Sequence, residues 1–106
     1  MTLALSTLKT PLERANALVP VLKAIGDEYR LAILLTLADE SKTVVELTEL
    51  LGIAQPLVSH HLKALRAVGL ITVTPEGRSN RYSMCCDAVA APIQLLSGLA
   101  KAAPSR

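Results

Sequence analysis

The chain is 106 residues long, 51% hydrophobic and 19% charged, which excludes a disordered tail and is sized for a single domain spanning 1–106. Its formal charge of +2 excludes nothing by itself, but 2 adjacent cysteines, Cys85 and Cys86, exclude a disulfide framework, and apolar runs of a few residues fall far short of the roughly 20 that span a bilayer. With no secretion-signal pattern at its start, no Phe or Trp and only 2 Tyr, it reads as a cytoplasmic, mainly helical protein with a core of Leu, Val, Ile and Ala and no membrane role.

Thr10-Pro11-Leu12-Glu13 opens a first helix, 10–25, with Thr as cap, Pro in the first turn and Glu placed to close a capping box. Leu12, Ala15, Leu18, Val19, Leu22 and Ile25 continue it at helical spacing, Pro20 predicts a kink or break, and Gly26 ends it. Asp27 can cap a second helix whose stripe includes Leu31, Leu34, Leu35 and Ala38, after which "DESKT" reads as a polar loop. Val44, Leu47, Leu50 and Leu51 mark a short third helix stopped by Gly52, and Gln55-Pro56 opens a fourth that runs to about Val68, before Gly69. Two short helices joined by a glycine-containing turn, 44–68, carry the helix-turn-helix signal, although two packed helices of any small helical protein would look the same.

The stretch "GLITVTPEGRSNRYSM" changes period. Ile71 and Val73 alternate with Thr72 and Thr74, and after a turn placed at Pro75-Glu76-Gly77-Arg78-Ser79, Tyr82 and Met84 alternate with Arg81 and Ser83. A hairpin over 71–84 directly after a helix-turn-helix is a wing. From Asp87, read as a cap, helical spacing returns through Val89, Ile93, Leu96 and Leu99 to Ala100, giving a last helix, 87–101. The first and last helices are too apolar to stand alone on a surface. Cover by a second copy of the chain is expected, with mutual cover inside one chain as the alternative. The expected fold is mainly α with a small β-hairpin, a winged helix-turn-helix of order ααααββα, paired as a homodimer through its first and last helices.

In "QPLVSHHLKALR" the inward stripe is Val58, His61, Leu62 and Leu65, so His61 lies beside the core, where an imidazole usually satisfies one nitrogen with a hydrogen bond. His60 is turned about 100° away. Helix neighbours do not face each other, which disfavours a metal site built on this pair. His60 joins Gln55, Pro56, Leu57, Ser59 and Lys63 on the exposed side, a set suited to DNA. Gln55 and Ser59 can hydrogen-bond base edges or phosphate, Leu57 can touch a thymine methyl, and Lys63 and Arg66 supply charge.

Arg78 and Arg81 on the wing would approach the flanking backbone or minor groove. From Ala54 to Ser83 there are 4 basic residues and 1 acidic, against 5 and 7 before Ala54, so the positive surplus sits in this segment. A solvated basic face is the bland reading of the same residues.

The stretches "LKAIGDEYRLAILLTL", "TVVELTELLGIAQPLVSHHLKALRAVGLI" and "EGRSNRYSM" resemble the arsenic-repressor-like (ArsR/SmtB) family of winged helix-turn-helix transcription regulators over residues 22–84. Glu28 departs from the proline often found there and is equally acceptable near a helix N-terminus. The resemblance implies a homodimer that binds a palindromic operator on double-stranded DNA as a repressor and releases it when a metal ion or other effector binds. Members that sense thiophilic metals carry Cys-x-Cys where this chain has Thr43 and Val45. Members that sense zinc on the last helix use Asp-x-His and a later His-x-x-Glu, whereas here Asp87 is followed by Val89 and no histidine or glutamate comes after it.

No cofactor is certain. A divalent transition metal is one candidate effector, and Cys85 and Cys86 are candidate thiol or metal sensors, with buried inert cysteine as the plainer reading. As strand neighbours the two should point apart, which disfavours a vicinal disulfide. The reading is a DNA-binding transcriptional regulator and not an enzyme, since no nucleophile–base pair, phosphate loop or carboxylate cluster is visible. The alternative is a winged-helix interaction module, or a co-regulator that needs a second protein to sense its effector.

Overall fold

In the computed structural model of the chain, residues 10–85 and 90–102 are described. Among them the order is α1 (Pro11–Ile25), α2 (Glu28–Asp39), β1 (Lys42–Thr43), α3 (Val44–Leu51), α4 (Gln55–Ala67), β2 (Ile71–Glu76), β3 (Ser79–Met84) and α5 (Ala90–Ala102). The three strands form one antiparallel sheet in the order β1-β3-β2. The predicted cap at Asp87 and the first stripe residue of the last helix, Val89, lie outside the described residues.

Thr10 and Glu13 close the expected capping box, each side chain accepting the other's backbone N–H at 3.1 Å. Pro20 does not break α1. Its missing N–H deprives the carbonyl of Asn16 of a helical donor, but both residues are exposed, so water can serve that carbonyl while Leu18 and Ala24 stay buried on the inner face. Asp27 caps α2 by accepting the amides of Tyr29 and Arg30 at 2.9 and 3.1 Å, and Arg30 Nε donates to the Ala24 carbonyl at 2.8 Å, pinning the corner between α1 and α2.

The polar stretch after α2 is only partly a loop. Lys42 and Thr43 pair with Tyr82 and Arg81 as a third strand, too short to show any period of its own. Thr43 then caps α3 in a second capping box, its hydroxyl accepting the Glu46 amide at 3.2 Å and Glu46 accepting the Thr43 amide at 2.9 Å. Gly52 ends α3 in the left-handed conformation at φ 69°, a region open to glycine and costly for a residue with a Cβ.

The core gathers where these elements meet. Ile33 of α2, Leu47 of α3, Val58, Leu62 and Leu65 of α4, and Leu70 ahead of the sheet are almost wholly withdrawn from solvent, with Ile71 and Tyr82 closing it from the sheet. Burying each such aliphatic side chain is worth about 1.5–3 kcal/mol. Of the expected α4 stripe, Val58, Leu62 and Leu65 are buried and His61 is half-buried beside them. The hairpin turn is tighter than the five-residue turn the sequence suggested: Glu76 pairs with Ser79, leaving a two-residue loop of Gly77 and Arg78. Gly77 takes φ 62°, the glycine-first arrangement that suits the strand twist, and Pro75 and Glu76 belong to β2.

Candidate nucleic-acid interface

The helix-turn-helix presents α4 with its apolar side locked to the core and its other side open. Gln55, Pro56, Leu57, Ser59, His60, Lys63 and Arg66 are all exposed. At about 100° per residue they fall into two adjoining rows, Gln55–Ser59–Arg66 and Pro56–His60–Lys63, with Leu57 on the opposite flank. The rows combine an amide, a hydroxyl, an imidazole and two cations, which can donate to or accept from base edges and phosphates.

The two histidines take different environments. His60 is exposed, while the His61 side chain is only 12% exposed and its ring stacks on Tyr29 with centroids 5.7 Å apart. The hydrogen bond expected for His61 is not made at its Nδ1. Its Nδ1 is buried without a partner among the described residues, 3.8 Å from the Asp27 Oδ2 that accepts the two amides at the start of α2. Those amides, Arg30's first, hold the Asp27 carboxyl below the usual carboxylate range.

The wing arginines also differ. Arg78 occupies the hairpin tip and is exposed. Arg81 is half-buried: its Nε donates to both Glu76 carboxylate oxygens at 3.0 and 3.2 Å, and its Nη1 to the carbonyl and hydroxyl oxygens of Ser41 at 3.1 and 3.3 Å, with Glu46 3.9 Å away. The hydrogen bond it donates to Glu76 holds Arg81 further above its ordinary range. Lys63, Arg66 and Arg78 form no ion pair among the described residues.

The partners of Arg81 were missed in the sequence. Glu76 was within reach, because a two-residue turn at Gly77 and Arg78 puts Glu76 and Arg81 diagonally on one face of the hairpin. Ser41, forty residues away, left no local signal.

Thr43, where metal-sensing members of the resembled family carry a cysteine, spends its hydroxyl on capping α3, and neighbouring Val45 offers no donor atom, so these residues do not fit a metal. Among the described residues no group of three or more His, Cys, Asp or Glu could hold a metal ion. Cys85 is half-buried and unbonded at sulfur, with its backbone N–H donated to the Leu70 carbonyl at 3.0 Å. Cys86 lies outside the described residues. No helix among those described is long and apolar enough to cross a membrane.

Residues 27–73, from the cap of α2 into β2, match the profile described as bacterial regulatory protein, arsR family. The chain is similar to the HTH-type transcriptional repressor SmtB of Mycobacterium tuberculosis, 39% identical over 74 residues, covering 70% of this chain but only 55% of that protein. It is 38% identical over 81 residues to the transcriptional activator HlyU of Vibrio cholerae, covering 76% of this chain and 75% of the relative. Among solved structures, an ArsR-like transcriptional regulator from Rhodococcus sp. RHA1 superposes with a TM-score of 0.78 at 25% identity, covering 87% of this chain and 84% of the other. The winged helix-turn-helix described above is shared with that structure, and the chain belongs to the arsR family of bacterial regulatory proteins.

Proposed function

We propose that this chain is a sequence-specific DNA-binding transcriptional regulator, not an enzyme, that acts in the cytoplasm as a homodimer on an inverted-repeat operator. The observation that carries this reading is the exposed polar side of α4, with Gln55, Ser59, His60 and Lys63 standing on a helix whose other side is anchored by Val58, Leu62 and Leu65. On a duplex, α4 enters the major groove, Pro56 and Leu57 approach it at the helix start, Lys63 and Arg66 meet backbone phosphates, and Arg78 reaches the flanking strand from the wing tip.

Pairing of two chains is supported by apolar side chains left open on the outer helices: Leu12 on α1 and Ile93, Leu96 and Leu99 on α5 are each more than half exposed. We favour repression by occupancy of the operator, although the relatives include both a protein named as a repressor and one named as an activator.

Footprinting of the DNA upstream of the chain's own gene, with and without divalent transition metals and thiol oxidants, tests operator and effector together. Protection of an inverted repeat that fades steeply with salt is expected, since phosphate contacts release counterions. Metal or oxidant arms that change protection would bring Cys85 and Cys86 into the effector site. Absence of protection with any DNA, alongside capture of a defined protein partner by α4, would favour the interaction-module reading. Within the footprint, Ser59→Ala and His60→Ala are expected to weaken specific binding, whereas His61→Ala lowers thermal stability. Equal responses of binding to both histidines would sink the facing argument.

A further inference from the structure

Arg81 looks at first like one more cation for the DNA, but its surroundings argue otherwise. It stands midway along the wing on β3, opposite Thr74 of β2 on one side and Thr43 of β1 on the other. Its guanidinium works in two directions at once, the Nε–H toward the Glu76 carboxylate beside the hairpin turn and Nη1 toward the Ser41 carbonyl between α2 and β1. Glu46 on α3 is the third group close by. Glu40 and Lys42 complete the charged set and are paired with each other at 2.7 Å.

Two cations therefore stand among three carboxylates, Glu40, Glu46 and Glu76, leaving this patch negative where a phosphate would need it positive. With Nε and Nη1 engaged by Glu76 and Ser41, the guanidinium has only Nη2 left to offer a phosphate, and it would offer it from a negative patch, whereas Lys63, Arg66 and Arg78 form no ion pair among the described residues.

Resting on the DNA-binding reading above, we propose that Arg81 is a positioning residue that ties the wing to the start of the helix-turn-helix, and that it makes no phosphate contact of its own. The fork geometry matters. A lysine carries one compact charge and cannot hold a carboxylate beside the hairpin turn and a carbonyl on another segment with the same fixed planar spacing. Held this way, the wing tip keeps a set orientation relative to α4, so that Arg78 and Lys63 meet the same duplex together. Glu76 then assists DNA binding despite its charge, because it anchors Arg81.

The two roles predict opposite signs. If Arg81 positions the wing, Glu76→Gln weakens operator binding several-fold; if Arg81 binds phosphate, the same change releases the arginine and removes a repelling charge, and binding tightens. Operator affinity is to be measured by fluorescence anisotropy over a salt series for wild type, Glu76→Gln, Arg81→Ala, Arg81→Lys and Glu76→Gln/Arg81→Ala. The expected result is weaker binding for every variant, a salt slope unchanged from wild type, no rescue by lysine, and a double variant no worse than Arg81→Ala.

A slope reduced by about one, restoration by Arg81→Lys, or tighter binding by Glu76→Gln would each overturn the proposal. Amide hydrogen exchange of the free protein supplies an arm that needs no DNA. In Glu76→Gln and Arg81→Ala, exchange at Lys42 and Thr43 and along Ser79–Met84 should quicken while the α4 amides keep their protection. Unchanged exchange in the sheet overturns the proposal even if no duplex is bound, whereas a wild type that binds no duplex defeats the DNA-binding reading alone.

Discussion

Between Val44 and Met84 the chain encloses its large apolar residues: Leu47, Val58, Leu62, Leu65 and Leu70 have almost no contact with solvent, and α3 begins and ends on residues suited to each task. The outer helices are built on other terms. Helix α1 has a complete N-terminal capping box and α5 lies alongside it, yet Leu12, Ile93, Leu96 and Leu99 remain more than half exposed. Val45, Leu50 and Leu57 also reach solvent in the inner unit, but they stand beside a core whose central side chains are fully buried. The contrast teaches that the inner unit, with Ile33, Leu34 and Leu37 of α2 packed into it, completes its core within one chain, whereas the outer helices carry apolar surface whose stabilising value is realised only against another surface.

The strongest way to break this contrast is from within. Leu62→Ala removes a side chain 1% exposed and should cost about 2–5 kcal/mol in urea unfolding, a large share of the roughly 5–15 kcal/mol that holds a domain together. A loss below about 1 kcal/mol would mean that the inner unit is less closely packed than described. The outer surface responds differently. Leu96→Glu should leave the circular-dichroism spectrum of a folded chain but give a monomer by sedimentation, with operator affinity reduced on the order of 100-fold as two linked half-site contacts become one.

Inserting about five base pairs between half-sites should produce the same collapse from the DNA side, because one half-site then faces away. A variant that still dimerises, or a protein that tolerates the insertion, would count against pairing through these helices. Smaller effects sharpen the picture. Lys63→Ala and Arg78→Ala should each weaken binding several-fold to specific and nonspecific duplexes alike and lower the salt slope by about one. Unaltered slopes would remove those residues from the phosphate contacts.

The smallest expected effect is on acid stability. Backbone amides hold the carboxyls of Asp27 and Glu46 below their ordinary values, so their contribution is full above the unfolded carboxylate range and is lost as pH falls through the lowered folded values. Asp27→Asn keeps a capping oxygen and deletes the titration, and its stability should therefore vary less than wild type between about pH 5 and pH 2. Identical profiles would show that the Asp27 charge contributes nothing to the fold.

Most of the helical frame was legible because its signals are local: Thr10-Pro11 with Glu13, Asp27, Gly52 and Gln55-Pro56 each act within a turn of where they stand. The second capping box at Thr43 and Glu46 obeyed the same rule and could have been read from "TVVE". The candidate site was legible only as an exposed helix face, since three buried residues on α4 fix which side is open. What stayed hidden depended on distant groups. Strand β1 exists because the edge of β3 accepts it, and Arg81 reads as one more surface cation until Ser41 and Glu46 are brought to it by the fold. The break allowed for at Pro20 failed to appear for a similar reason, since the cost of a proline in a helix depends on whether the carbonyl it orphans can reach water.

Pro75 has a consequence for how these molecules behave in company. It lies in β2, an outer strand of the sheet, and is paired in register with Asn80, one step beyond the Glu76 and Ser79 pair that brackets the turn. Bonded and non-bonded pairs alternate along an antiparallel ladder, so its nitrogen is directed away from β3, toward the open edge. There it offers no hydrogen to a neighbouring chain. On the opposite edge β1 is only 2 residues long, too short to serve as a template. Neither border of the sheet can readily be lengthened by a strand from another molecule, and a crowded population of these chains is thereby steered away from the edge-to-edge joining that seeds fibres.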